Sequence, residues 1–136
     1  MKEDKKDIIL ANILGAIKES FVQQLVLYIP DKDKNGKQIN NINEWIEKAQ
    51  TILTAIGGGT TSYPPADGTW LNPDNKKIVS ERTKIIYTYV ISDNLADEGN
   101  LKSLRIFLHK FGRETNQGEV VFEFDGVFYK IRNYDK

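Results

Sequence analysis

VVFEFDGVFYKI, from Val120 to Ile131, is two runs of β-branched and aromatic residues joined by Asp125-Gly126. A two-residue hairpin turn needs positive φ at both central positions, which Asp-Gly tolerates, so the stretch predicts a β-hairpin. Pairing outward from the turn sets Phe124 opposite Val127, Phe122 opposite Tyr129 and Val120 opposite Ile131. One face of the hairpin is then wholly apolar and is expected to be core, while Glu123, Phe128 and Lys130 lie on the other.

Upstream, Leu101, Leu104, Phe107, Leu108 and Phe111 recur at helical spacing, with Gly112 in the place of a stop signal. TKIIYTYVI, Thr83 to Ile91, is apolar on both alternating sets and predicts a central strand covered on two sides. Thr60 to Leu71 contains Pro64 and Pro65, which cannot donate to a ladder and confine it to an edge or an irregular excursion; either X-Pro bond is compatible with cis. Ile42, Trp45, Ile46, Ala49, Leu53 and Ile56 mark a helix that ends at Gly57-Gly58-Gly59. FVQQLVLYI, Phe21 to Ile29, predicts a strand, and Asn35-Gly36 a turn after it. Ile8, Ile9, Ile13, Ala16 and Ile17 predict a leading helix of about four turns.

This order of elements predicts an α+β fold, a ferredoxin-like sandwich with an antiparallel sheet and helices on one face. An N-terminal helix (1–20) is appended to the core (21–136), and the C-terminal hairpin is an addition. A chain of 136 residues is expected to form one domain. The appended amphipathic helix needs a surface to cover its stripe, so a homo-oligomer is expected.

Nineteen Lys and Arg balance nineteen Asp and Glu, which disfavours a nucleic-acid partner held by bulk charge. Without cysteine there is no disulfide framework, thiolate metal site or cysteine nucleophile. No apolar run reaches the roughly 20 residues of a membrane span, so no membrane association is expected and the cytoplasm is the expected compartment. No cofactor is expected.

Trp45, Gly58, Thr60, Gly68, Trp70, Glu81, Arg82 and Gln117 form a pattern of a tryptophan-bearing helix, Gly-x-Thr, Gly-x-Trp, a Glu-Arg strand start and a late Gln. On these positions the chain resembles, from about residue 21 to 125, the bacterial family catalogued as domain of unknown function 3574. Pro64-Pro65, the third glycine and the leading helix depart from its pattern. That family has no established activity, so the resemblance implies a fold, and it implies a place for Gln117 among the site residues.

The candidate ligand contacts are Thr60, Tyr63, Trp70, Glu81, Arg82 and Gln117. Tyr63 and Trp70 offer rings for stacking, with Tyr87 and Tyr89 as further candidates. Arg82 offers a planar fork for an anion. Glu81 and Arg82 are expected on opposite faces of the strand, Glu81 tied to Thr60 if it points inward. The glycine triplet reads as a helix cap rather than a phosphate loop, because its glycines follow a helix. His109 stands alone and reads as a surface histidine. Asp31, Asp33 and Asn35 begin a calcium-loop pattern whose terminal Glu is replaced by Ile42, so no metal site is assigned. The function expected is a non-catalytic small-molecule binder for a small anionic or aromatic molecule such as a nucleotide, on the pattern of a phage anti-defence sponge. The alternatives are an enzyme using Glu81 as acid or base, and an oligomeric interaction module without a ligand.

Overall fold

The computed structural model of the chain describes residues 4–19, 21–91 and 97–136. Its elements in chain order are α1 (Lys5–Leu14), β1 (Val22–Pro30), α2 (Ile42–Gly57), β2 (Thr61–Ser62), β3 (Ala66–Leu71), β4 (Ile78–Ile91), α3 (Glu98–Glu114), β5 (Val120–Phe124) and β6 (Val127–Ile131). All strand pairs are antiparallel, in the order β2-β4-β1-β5-β6, with β3 also on β4. This is the strand order of a ferredoxin-like sheet extended by β6.

Alternation sorts the side chains of the central strands. Leu25, Leu27 and Ile29 of β1 and Ile86 and Val90 of β4 are buried with Trp45, Ala49, Leu53 and Ile56 of α2 and Leu104, Phe107, Leu108 and Phe111 of α3. Both helices therefore cover one face of the sheet. The opposite face carries Tyr28, Glu81, Thr83, Tyr87 and Tyr89, and among the described residues no element covers it. The expectation that β4 is covered on two sides is thus corrected: Tyr89 and Ile91 stay about half exposed. An aromatic strand face reads as buried in sequence, yet Tyr63, Tyr87 and Tyr89 lie in a row on open sheet, tilted and then edge-to-face, at 5.6 and 5.7 Å between centroids.

The hairpin takes the expected register, Phe124↔Val127, Phe122↔Tyr129 and Val120↔Ile131, over a turn with φ 51° at Asp125 and 79° at Gly126. Its apolar face is only partly core. Val120 is buried, whereas Val127 and Tyr129 are exposed, because β6 lies at the sheet edge. Pro64 and Pro65 separate β2 from β3, both alongside β4 at the opposite edge, and among the described residues no peptide bond is cis.

Glycines act as expected at the end of α2 and differently in α3. Gly58 caps α2 at φ 87°, its N–H donating to the Thr54 carbonyl at 2.8 Å. Gly112 does not stop α3, which continues to Glu114; the ring of Tyr134 occupies the space that a Cβ at Gly112 would need. The leading helix is shorter than four turns, since Gly15 at φ 64° ends it after Leu14. Residues 1–3 and 20 of that expectation lie outside the described residues. None of the α1 residues is buried, and Ile8, Ile9, Leu10, Ile13 and Leu14 are exposed.

His109 is buried, which corrects its reading as a surface residue. Its Nδ1 accepts the Asp135 N–H at 2.8 Å, and the Asp135 carboxylate is gripped by Arg105 through two bonds of 2.9 and 3.0 Å. The C-terminal segment is thereby strapped over α3, with Tyr134 on Gly112. Gly112→Ala should lower the unfolding free energy by about 1–3 kcal/mol, the usual cost of overpacking. In urea unfolding, adding Tyr134→Ala should make Gly112→Ala nearly neutral, a non-additivity that separates the ring contact from a general loss of packing.

Candidate functional site

The longest strand, β4, outruns β1 at its N-terminal end, and there β3 pairs with it from Leu71↔Ile78 to Ala66↔Thr83. The resulting arm is fixed at its tip by Asn72, a residue only 1% exposed. Asn72 Nδ2 donates to the Lys34 carbonyl at 2.8 Å, while its Oδ1 accepts the Asp74 N–H at 2.9 Å. Trp70 lies along the arm against Gly118, where a Cβ would come within 2.7 Å of the indole ring. Glycine at 118 lets the arm close on the start of β5.

Between this arm and the open face of β1, β5 and β6 runs a cleft of about 360 Å³. Its walls include Trp70, Tyr28 and Phe128, and its polar groups include Glu81, Thr83, Gln117, Glu119 and Glu123. The volume falls in the usual range for small-molecule sites, about 300–1,000 Å³.

Electrostatics distinguish the carboxylates. Glu119 is neutralised by Arg132 at 3.2 Å and Lys130 at 3.6 Å. Glu123 accepts the Tyr28 hydroxyl at 2.7 Å, and burial followed by this bond pushes the Tyr28 phenol up to about 12. The Glu81 carboxyl is pushed up to about 7, first by burial and then by the nearby Asp31 carboxylate, with Lys32 acting in the opposite direction. Asp33, also on the cleft wall, is spent on the loop, its Oδ1 accepting the N–H groups of Asn35 and Lys37. Apart from Lys34 the lining carries no cation, so its charge suits a positively charged group better than the anion expected from the sequence. A carboxyl with a pKa near neutrality can also take or give a proton at physiological pH.

Of the sequence candidates, Trp70, Glu81 and Gln117 converge on the cleft. Gln117 is buried and its Nε2 donates to the Lys32 carbonyl at 3.1 Å and to Thr115 Oγ1 at 3.1 Å, so it positions the wall. Arg82 lies on the other face, as alternation requires; it is exposed and 3.6 Å from Asp67. Tyr63 belongs to the tyrosine row and does not line the cleft. Thr60 follows the α2 cap, and the expected tie from Glu81 to Thr60 is absent among the described contacts. The bond that holds that turn runs instead from the Thr88 hydroxyl to the Gly59 carbonyl at 2.5 Å. Tyr28, Glu123 and Phe128 are cleft residues that the sequence candidates omit. Their signal was alternation, which places Glu123 and Phe128 on the non-core face of the hairpin.

No protein-family model and no curated protein matches the chain. Solved structures do. A phage SAM lyase in complex with S-methyl-5′-thioadenosine superposes with a TM-score of 0.64 and 12% identity, over 86% of this chain and 94% of the lyase. A phage SAM lyase in the apo state gives 0.57 and 13%, over 87% and 97% of the two chains. A Bacillus cereus protein related to NIF3 gives 0.48 and 15%, over 93% of this chain and 32% of that one. At these identities the likeness to the lyases is one of fold. No helix among the described residues is long and apolar enough to cross a membrane.

The raised Glu81 carboxyl has a consequence for stability. The folded state holds this proton more tightly than the unfolded state, so Glu81 costs stability as pH rises from about 4.5 through about 7. The melting temperature should fall across that window, and Glu81→Gln should flatten the fall. Glu81 is partly solvated, so the gain at pH 8 should be no more than about 1–2 kcal/mol. Parallel pH profiles of the two proteins by calorimetry check this.

Proposed function

We propose that the open-face cleft binds an adenosyl sulfonium compound of the S-adenosylmethionine (SAM) class. The observation that carries this reading is the pairing, in one cleft, of the Trp70, Tyr28 and Phe128 rings with the carboxyl groups of Glu81 and Glu123. A purine stacks on an aromatic wall, and a sulfonium or ammonium centre is attracted by a carboxylate in a partly desolvated site. The fold shared with phage SAM lyases, one of them solved with S-methyl-5′-thioadenosine, supports the same class of ligand.

Binding alone makes the protein a sponge that lowers the free pool of a nucleoside-derived metabolite, the sequestering role read from the sequence. A second reading, cleavage of the bound sulfonium, is favoured by one observation: Glu81 is pushed up to about 7, the range of a general acid or base. Membership of the family resembled in sequence belongs to the same proposal, because its pattern residues Gly68, Trp70, Glu81 and Gln117 all line the cleft. So does self-association, since α1 is apolar around most of its surface and is not buried among the described residues.

Calorimetric titration should show SAM binding more tightly than its neutral thioether S-methyl-5′-thioadenosine, with the SAM affinity rising from pH 6 to 8 as Glu81 ionises. Phe128→Ala should weaken both ligands by roughly tenfold, the loss of one stacking contact. Glu81→Gln should narrow the gap between them by a similar factor. An unchanged ratio in Glu81→Gln, or no heat with either ligand, would contradict the assignment. Mass spectrometry of the incubated ligand separates the two readings: intact SAM means a sponge, and thioether appearing with wild type but not with Glu81→Gln means cleavage.

A further inference from the structure

The two edges of the sheet are unlike. The β2–β3 edge is interrupted by Pro64-Pro65, a common device against edge-to-edge pairing. The β6 edge (VFYKI) carries no proline, its one charge being Lys130: Val127, Phe128 and Tyr129 are all exposed, and among the described residues no strand lies beyond them.

The hairpin geometry says which groups of β6 are unpaired. Across a two-residue turn the flanking residues, Phe124 and Val127, form a pair that exchanges both backbone bonds, and such pairs then alternate along the ladder. Val127, Tyr129 and Ile131 therefore direct their N–H and C=O groups at β5, while Phe128 and Lys130 direct theirs outward. The Asp125 N–H donating to Gln24 at 2.9 Å, on the far side of β5, follows the same alternation.

We propose that β6 pairs antiparallel with β6 of a second copy of this chain, about a two-fold axis at Tyr129, joining the two sheets into one. This register uses every outward group of the strand: Phe128 and the partner's Lys130 exchange both backbone bonds, and so does the reciprocal pair. Tyr129 faces its own copy in the closer, non-bonded position, and Val127 faces the partner's Ile131. No like charges meet. The neighbouring self-pairings are worse, because centring on Lys130 opposes two ammonium groups, and centring on Phe128 runs Lys130 into the turn at the partner's Gly126. The opposition of Lys130 and Phe128 across the seam repeats a contact already made within the chain, where Lys130 Nζ lies 5.7 Å over the Phe128 ring.

The pairing also bears on the cleft, whose lip is Phe128. Opposed residues of an antiparallel pair point to the same face, so the partner's Lys130 stands beside that lip. There it supplies a cation that the cleft's own lining carries only at Lys34.

The test is the mass of the ligand-free protein by light scattering, which does not depend on the identity of any ligand. Lys130→Pro removes an outward N–H without touching the ladder to β5, so the mass should fall by a factor of two. Lys130→Ala should keep the wild-type mass, with far-UV circular dichroism confirming the fold of each variant. If Lys130→Pro fails to fold, Tyr129→Glu provides the second variant: two carboxylates facing each other at the axis should halve the mass in low salt and restore it in 1 M salt. A monomeric wild type, or a folded Lys130→Pro or Tyr129→Glu protein with wild-type mass, would overturn the proposal. The latter result would leave α1 as the element joining copies.

Discussion

The register of β1 against β4 governs the rest of the molecule. Nine residues of β1, from Val22 to Pro30, face nine of β4, from Ile91 to Thr83, and the same strand pairs with β5 on its other side. A slip of one residue would send Leu25, Leu27 and Ile29 out to solvent and bring Gln24, Tyr28 and Pro30 under the helices. With the register fixed, every side chain of the central strands is assigned to a face. The helix-covered face receives Leu25, Leu27, Ile29, Ile86 and Val90, and the open face receives Tyr28, Glu81, Thr83 and the tyrosine row.

That division explains why a cleft forms where it does. A bare sheet face is too flat to enclose a ligand. Here β4 extends past β1, β3 folds onto the extension, and Asn72 and Trp70 fix the arm against the loop at Lys34 and the turn at Gly118. The arm raises one wall, and Phe128 on β6 raises the other. Glu81 is carried into the resulting half-desolvated space by the same alternation that buries Ile86 and Val90 on the opposite face. The structure thus spends stability at Glu81, as functional sites commonly do.

Much of this was legible in the chain. The Asp125-Gly126 turn gave the hairpin and its register, the three-and-four spacing in α2 and α3 gave the helix layer, and Pro64-Pro65 marked the edge. What sequence misjudged has a common cause, because local pattern cannot see what packs against it. Ile85, Tyr87 and Tyr89 look like a buried strand face but meet no second layer among the described residues. Gly112 looks like a stop but is a seat for Tyr134, and His109 looks solvated but is covered by the C-terminal strap. Of the residues lining the cleft, Trp70 and Glu81 were picked out by unusual residue types at short spacing, and Gln117 by the family resemblance. Tyr28 and Glu123 were missed because alternating polar residues on a strand read as solvent-facing until the arm that shelters them is known. Thr60, Tyr63 and Arg82 share the motif's stretch of chain but are turned elsewhere by the α2 cap, the β2–β3 break and strand parity.

The central claim, that the sheltered part of the open face is the ligand site, is tested most directly by backbone amide chemical shifts during titration with S-methyl-5′-thioadenosine. The account predicts the largest changes at Gly68, Thr83, Val121 and Phe128, with the Tyr63–Tyr87–Tyr89 row and the outer surfaces of α2 and α3 unmoved. Changes concentrated on the tyrosine row or between the helices, with the cleft amides still, would contradict it.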